Sequence, residues 1–229
     1  GYINATIPAE LNKTAIKVFV DNIKLTPPPF PMITTNGTHY FVYFEFALSS
    51  RDIIIQYAIA DIAITDITQT KTVIGQGYTI CINATIQNQG DYEETFNVAL
   101  FANLTSVASQ TVTLTSENST DIIFSWNTTG FAKGNYTLKV VADTLSDEID
   151  TTDNTREGWV FVTIAGDVTS AEPGIPNGKV DMRDIGALCS KFMTKPSSSN
   201  WDPNYDINDD SVVNMRDIGI ACNNFMKDP

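Results

Sequence analysis

The chain has 229 residues, 42% of them hydrophobic and 18% charged, with a formal net charge of -13 at pH 7. This composition is globular rather than disordered, and its acidity repels phosphate backbones, which argues against a nucleic-acid partner. No stretch approaches the roughly 20 apolar residues of a membrane-spanning helix, so no membrane span is expected in this chain.

Gly1 runs straight into the strand-like segment Tyr2–Ile7, as expected of a mature or trimmed product. Further strands are predicted at Ala15–Val20, His39–Leu48 and Asp52–Tyr57, separated by the turn Asp21-Asn22 and the run Pro27-Pro28-Pro29. The segment from Tyr40 to Phe46 is apolar on both faces, which predicts a central strand covered on both sides. Residues 1–60 are therefore expected to be a small N-terminal β-domain, or a segment that donates a strand to a neighbour's sheet.

Residues 61–165 carry seven predicted strands: Ile62–Thr68, Tyr78–Gln87, Thr95–Ala102, Ser109–Leu114, Asp121–Trp126, Asn135–Ala142 and Trp159–Ile164. In the second, Ile80, Ile82, Ala84 and Ile86 alternate with polar neighbours and are expected to face inward, with Cys81 on the opposite face. Seven short strands at this spacing predict an immunoglobulin-like β-sandwich. The runs Asp61-Ile62-Ala63-Ile64, Gly77-Tyr78-Thr79-Ile80, Ile86-Gln87-Asn88-Gln89-Gly90, Trp126-Asn127-Thr128-Thr129-Gly130 and Asp150-Thr151-Thr152-Asp153-Asn154-Thr155 resemble a CARDB domain. The resemblance covers about 100 residues and implies an adhesive or spacer role at a prokaryotic, archaeal-type cell surface.

Glycosylation sequons occur at Asn4, Asn12, Asn36, Asn83, Asn103, Asn118, Asn127 and Asn135, all before residue 136. Such a cluster predicts a glycosylated, extracellular exterior.

Residues 166–229 contain an internal repeat with an offset of 33 residues. Val180-Asp181-Met182-Arg183-Asp184-Ile185-Gly186 matches Val213-Asn214-Met215-Arg216-Asp217-Ile218-Gly219. The second copy opens with a 12-residue loop from Asp206 to Asp217. Asp206, Asn208, Asp210, Asn214 and Asp217 place side-chain oxygens at its positions 1, 3, 5, 9 and 12, and Val212 places its carbonyl at position 7. That is the oxygen spacing of an EF-hand-type calcium loop. The first copy offers Asp167, Thr169, Asn177, Lys179 (through its carbonyl), Asp181 and Asp184, with Ser170 to Pro176 looping out. Two calcium ions are expected. Ser211 stands where the turn favours glycine, as at Gly178.

Each loop is followed by a short amphipathic helix, with Ile185, Leu188, Cys189 and Phe192 in one stripe and Ile218, Ala221, Cys222 and Phe225 in the other. This stripe places Cys189 and Cys222 toward the core between the helices, as buried thiols or as a disulfide. Taken whole, this region resembles a type I dockerin. The resemblance implies partner binding through Met182, Arg183, Met215 and Arg216, to a cohesin-like domain or to further copies of the same chain.

The overall expectation is a mainly β protein: immunoglobulin-like sandwiches followed by a small helical dockerin-like module. One histidine, His39, and no nucleophile-base set argue against catalysis. A non-catalytic cell-surface structural or adhesion protein follows, assembled through its calcium-loaded end and acting as a filament subunit. The alternative is a carbohydrate-binding module, with Phe41, Tyr43, Tyr92 or Trp126 as stacking faces, or the C-terminal anchoring part of a larger secreted enzyme.

Overall fold

The structure is a computed structural model. It describes residues 2–8, 16–21, 23–25, 31–45, 52–57, 59–146, 148, 150–169 and 175–227.

The N-terminal region forms two small sheets. In one, β5 (His39–Glu45) lies between β1 (Tyr2–Pro8) and β4 (Met32–Thr35). In the other, β2 (Ile16–Val20) lies between β3 (Ile23–Lys24) and β6 (Ile53–Tyr57). Ile16, Val18 and Val42 form their shared core. β5 is central as its apolar run predicts, but Phe41 is exposed, so the strand is not covered on both faces. β1 pairs with β5 along its whole length, from Tyr2 opposite Glu45 to Pro8 opposite His39. The segment expected as a strand donor thus lies paired within its own chain.

The central region is a two-sheet sandwich. Its larger sheet runs, in order, β11 (Thr105–Leu114), β10 (Glu94–Ala102), β13 (Gly134–Ala142), β14 (Thr155–Thr163) and β8 (Val73–Gly75). The smaller runs β12 (Ser119–Asn127), β9 (Thr79–Asn88) and β7 (Ile62–Gln69). The strict alternation of β9 buries Ile80, Ile82, Ala84 and Ile86 and leaves Cys81 half-buried on the outer face. Facing residues such as Val98, Leu100, Leu138, Val140, Val160 and Val162 complete the core. β8 pairs in parallel with β14, and it places the next module.

The C-terminal region is a duplicated loop–helix unit. α1 (Met182–Ser190) and α2 (Met215–Asn223) pack together over Val168, Val180, Leu188, Tyr205, Ile207, Val213 and Ala221, with Trp201 partly buried against them. Gly166 has a φ of 100°, and a Cβ there would lie 2.6 Å from the Ala221 Cα. Only glycine lets the chain leave β14 this close to α2.

Candidate metal centre

Each helix begins with the same polar cap. Asp181 accepts from Arg183 N–H at 2.7 Å and Asn214 from Arg216 N–H at 2.8 Å. The carboxylates of Asp184 and Asp217 reach back to the N–H groups of Asp181 and Asn214 at 2.9 and 2.8 Å. These are reciprocal capping boxes, with aspartate in the place of the usual glutamate.

The same two carboxylates also organise the loops. Asp217 Oδ1 accepts from Ile207 and Asn208 N–H at 2.8 and 3.3 Å, and Asp184 Oδ1 from Val168 and Thr169 N–H, both at 2.9 Å. At the loop entrances, Asp206 accepts from Asp210 and Ser211 N–H at 3.1 and 2.8 Å. Asp167 accepts from Asn177 and Gly178 N–H at 3.0 and 2.8 Å. The two loops therefore share one hydrogen-bond plan. It pairs Asp167 with Asp206 and Gly178 with Ser211 despite the extra residues of the first loop, of which 170–174 lie outside the described residues. Ser211 and Gly178 both adopt positive φ, 66° and 84°.

In the second loop Asp206, Asp210 and Asp217 bring one carboxylate oxygen each within 4.8 Å of one another. Among the described residues this is the one such group of three acidic, histidine or cysteine side chains. Asn208 and Asn214 turn their amide groups onto Asp210, at 3.0 and 3.2 Å. Val212 is half-buried beside them. In the first loop Asp167, Asp184 and Thr169 are buried, Asp181 is half-buried, and Asn177 and Lys179 are exposed.

Burial pushes the carboxyls of Asp167, Asp184 and Asp206 above their ordinary range, against the pull of the N–H groups they accept from. Asp210 is held below it, chiefly by the amide of Asn208. Closely spaced carboxylates with few cations around them, all oxygen donors, suit a hard divalent ion rather than zinc, which takes nitrogen and sulfur.

Two cations reach the second loop: Arg216 Nη1 lies 3.4 Å from Asp210 Oδ2, and a lysine that sequence reading missed comes from the sandwich. Lys71, 3% exposed, lies between β7 and β8; its ammonium donates to the Asp206 carbonyl at 2.6 Å and pairs with Asp209 at 3.0 Å. Beside it, Asn204 Oδ1 accepts from Thr72 and Val73 N–H at 2.8 and 2.9 Å. Asn204 sits in the 3-10 turn Pro203–Tyr205 that leads directly into Asp206. The sandwich edge thus holds the entrance of the loop. The remaining sequence signal was only a lysine in a lysine-poor chain.

The cysteines depart from expectation. Cys189 and Cys222 are exposed free thiols, and no disulfide joins them. The buried stripe runs through Asp184 and Leu188 in α1 and through Asp217 and Ala221 in α2. The inward turn of each aspartate, needed to accept the loop N–H groups, rotates the cysteines out. Phe192 and Phe225 are likewise 44% and 39% exposed. Met182, Arg183, Met215 and Arg216 are all exposed at the starts of the helices.

The other singled-out residues are dispersed. Asn36, Asn103, Asn118, Asn127 and Asn135 are exposed and Asn83 half-buried. Asn4 lies in β1, and Asn12 lies outside the described residues. His39 is exposed, and its ring Nδ1 lies 3.1 Å from the Thr38 hydroxyl. Trp126 is 1% exposed, in edge-to-face contact with Phe131 and Tyr136, so it offers no sugar-stacking face.

Residues 59–158 match the CARDB family model. The sandwich is a CARDB domain, a member of a non-catalytic domain family. Among solved structures, the chain is similar to the CARDB domain of a Pyrococcus furiosus protein in complex with di-metal ions, at 20% identity and a TM-score of 0.42, covering 48% of this chain and 98% of that one. It is similar at 35% identity and a TM-score of 0.38 to one domain of a Methanosarcina acetivorans protein provisionally assigned to the cell surface, covering 45% of this chain and 92% of that one. It also resembles a β-glucosidase from Erythrobacter marinus at 12% identity and a TM-score of 0.38, over 52% of this chain but only 18% of the enzyme. No curated protein matches the chain significantly.

Proposed function

We propose that this chain is a non-catalytic extracellular structural protein of a cell surface. In this reading its C-terminal module is dockerin-like and binds two calcium ions. Its calcium-loaded end joins copies of the chain into a filament. The observation that carries the reading is the matched construction of the two loops, with Asp206, Asp210 and Asp217 drawn together in the second.

The physical argument runs from charge to assembly. Without a cation, three carboxylates this close repel one another and disfavour the closed loop. Calcium takes six to eight oxygens at about 2.3–2.6 Å and would offset that repulsion, so binding and local folding are coupled. Folded loops fix the helix starts, where Met182, Arg183, Met215 and Arg216 lie exposed. The two exposed methionines, flanked by arginines, offer apolar surface that a protein partner would cover. Location at a cell surface is supported by the CARDB domain and by the sequons.

The test is particle size by light scattering and negative-stain microscopy, in calcium and then in excess chelator. Polymers in calcium that fall apart in chelator are the expected result. A monomer in both conditions overturns self-assembly and leaves a spacer whose C-terminal module awaits a separate cohesin-like domain.

A further inference from the structure

A second oxygen cluster lies at the opposite end of the CARDB sandwich. β14 separates the two ends, and nine extended residues span about 30 Å. At this far end the described residues of the connection from β13 to β14 (143–146, 148 and 150–154) lie against the start of β7. Glu148 anchors it. Its Oε1 accepts from Ile62 N–H at 2.9 Å, and its Oε2 from Leu145 N–H and the Asn154 amide at 2.8 and 2.9 Å. Backbone bonds close the rest: Ile64 N–H donates to the Asp153 carbonyl at 2.8 Å and Ala142 N–H to the Asn154 carbonyl at 2.9 Å.

Within this well-bonded frame, three side-chain oxygens are left over. Oδ1 of Asp61, Asp153 and Asn154 are buried and have no hydrogen-bond partner among the described residues. Asp61 is only 7% exposed and Asn154 only 3%. Buried polar atoms without partners are rare and costly, and here all three belong to residues that Glu148 binds or to their direct chain neighbours. The charges of Asp153, Glu148 and Asp150 all act on Asp61, so the cluster is strongly anionic. The nearby guanidinium of Arg156 donates instead to the Thr65 carbonyl at 2.9 Å. Burial and like charge both disfavour ionised Asp61 and Asp153 in the bare protein.

We propose that Asp61, Asp153 and Asn154 are ligands of a hard divalent cation, calcium, with Glu148 as the positioning residue that fixes the connection around it. Two carboxylates balance the two positive charges. The neutral carboxamide supplies the third oxygen, and Glu148, its own oxygens occupied by N–H donors, holds Asn154 in place. An all-oxygen set with no histidine or cysteine disfavours zinc. Ligands drawn from two separate chain segments favour calcium over magnesium, which demands near-octahedral geometry and keeps its waters. A bound ion would tie the connection before β14 to the first strand of the domain. This site is independent of the C-terminal loops.

The test uses the full chain, stripped by chelator. Calorimetric titration with calcium chloride is expected to give one equivalent fewer for Asp61→Asn or Asp153→Asn. Asp217→Asn should remove a different equivalent, additive with the first. If Asp217→Asn removes none while Asp153→Asn removes one, this site stands and the C-terminal reading fails. If Asp61→Asn and Asp153→Asn bind as much calcium as the unchanged chain, the proposal is overturned and the cluster is a set of protonated carboxyls. A second measurement needs no variant. Manganese added to the nitrogen-15-labelled chain should broaden the amide signals of Ile62, Leu145 and Asn154. Broadening confined to the loop amides of Ile207 and Asn208 overturns the proposal.

Discussion

Lys71 and Asp206 lie 135 residues apart in sequence, yet the ammonium of one donates to the backbone carbonyl of the other at 2.6 Å. The contact is buried, and the half-exposed carboxylate of Asp209 completes it at 3.0 Å. Through it the β7–β8 turn of the CARDB sandwich grips the first residue of the second loop. Lys71→Met keeps much of the side-chain volume, removes the charge and leaves a buried carbonyl unpaired. The expected cost is about 1–3 kcal/mol. Scanning calorimetry should then show the loop module melting below the sandwich; a single unshifted transition would count against the grip.

Asp217 is the residue whose removal should harm the second loop most. It is fully buried and accepts from three backbone N–H groups, those of Ile207, Asn208 and Asn214. Asp217→Ala should destabilise the module by about 3 kcal/mol or more, since charge-assisted bonds contribute about 1.5–3 kcal/mol each. Asp217→Asn should cost less and still abolish one calcium equivalent. Urea denaturation with and without calcium separates the two effects.

The loop carboxyls predict how pH acts on the metal-free chain. Asp167, Asp184 and Asp206 are raised by burial above an ordinary value of 3.8. Their folded state therefore binds protons more tightly than the unfolded state. Their stabilising contribution is present below pH 3.8 and is lost as pH rises through their higher folded values. Asp210, lowered chiefly by Asn208, works in the opposite direction but is more exposed and more screened. The melting temperature of the chelated protein should thus fall, from this source, as pH rises from about 4 toward neutrality. Calcium requires ionised ligands, so its stabilising effect should grow over the same range. Melting curves at matched pH, with and without calcium, check both signs.

Ser211 and Gly178 occupy equivalent turns, with φ of 66° and 84°. A side chain in this region costs roughly 1 kcal/mol or more, partly offset by the extra chain entropy of glycine when unfolded. Ser211→Gly should stabilise the second loop by about 0.5 kcal/mol. Gly178→Ala should destabilise the first by about 1 kcal/mol. A Cβ there meets nothing within 4 Å, so the effect would be purely one of backbone conformation. Chemical denaturation resolves both.

Patterns local in sequence were readable, and those made between distant segments were not. The alternation of Ile80, Ile82, Ala84 and Ile86 places β9 directly, because a half-buried strand imposes its period on the residues. The offset of 33 residues likewise pairs Gly178 with Ser211 and Asp184 with Asp217, whereas Asp167 and Asp206 are matched by their place at the two loop entrances, across the extra residues of the first loop. By contrast, β8 has three residues and pairs in parallel with a strand some ninety residues later, which no local period can show. Cys189 and Cys222 were placed inward because a helical stripe was drawn through apolar residues alone. The structure draws it through Asp184 and Asp217, polar side chains buried by the N–H groups they serve. The orphaned oxygens of Asp61 and Asn154 had no sequence signal, since burial and partnership both arise from the tertiary fold.

The two loop–helix units close on each other in exchange. Met193 N–H, after α1, donates to the Val213 carbonyl of the second loop at 2.7 Å, and Met226 N–H, after α2, donates to the Val180 carbonyl of the first at 2.9 Å. Val180 and Phe225 also form a parallel bridge. Each loop is thus latched by the tail of the other copy. A protease nick after Asn224 would leave every residue of the first loop intact and still unfasten it, so damage at one place in the chain would be felt some forty-five residues upstream.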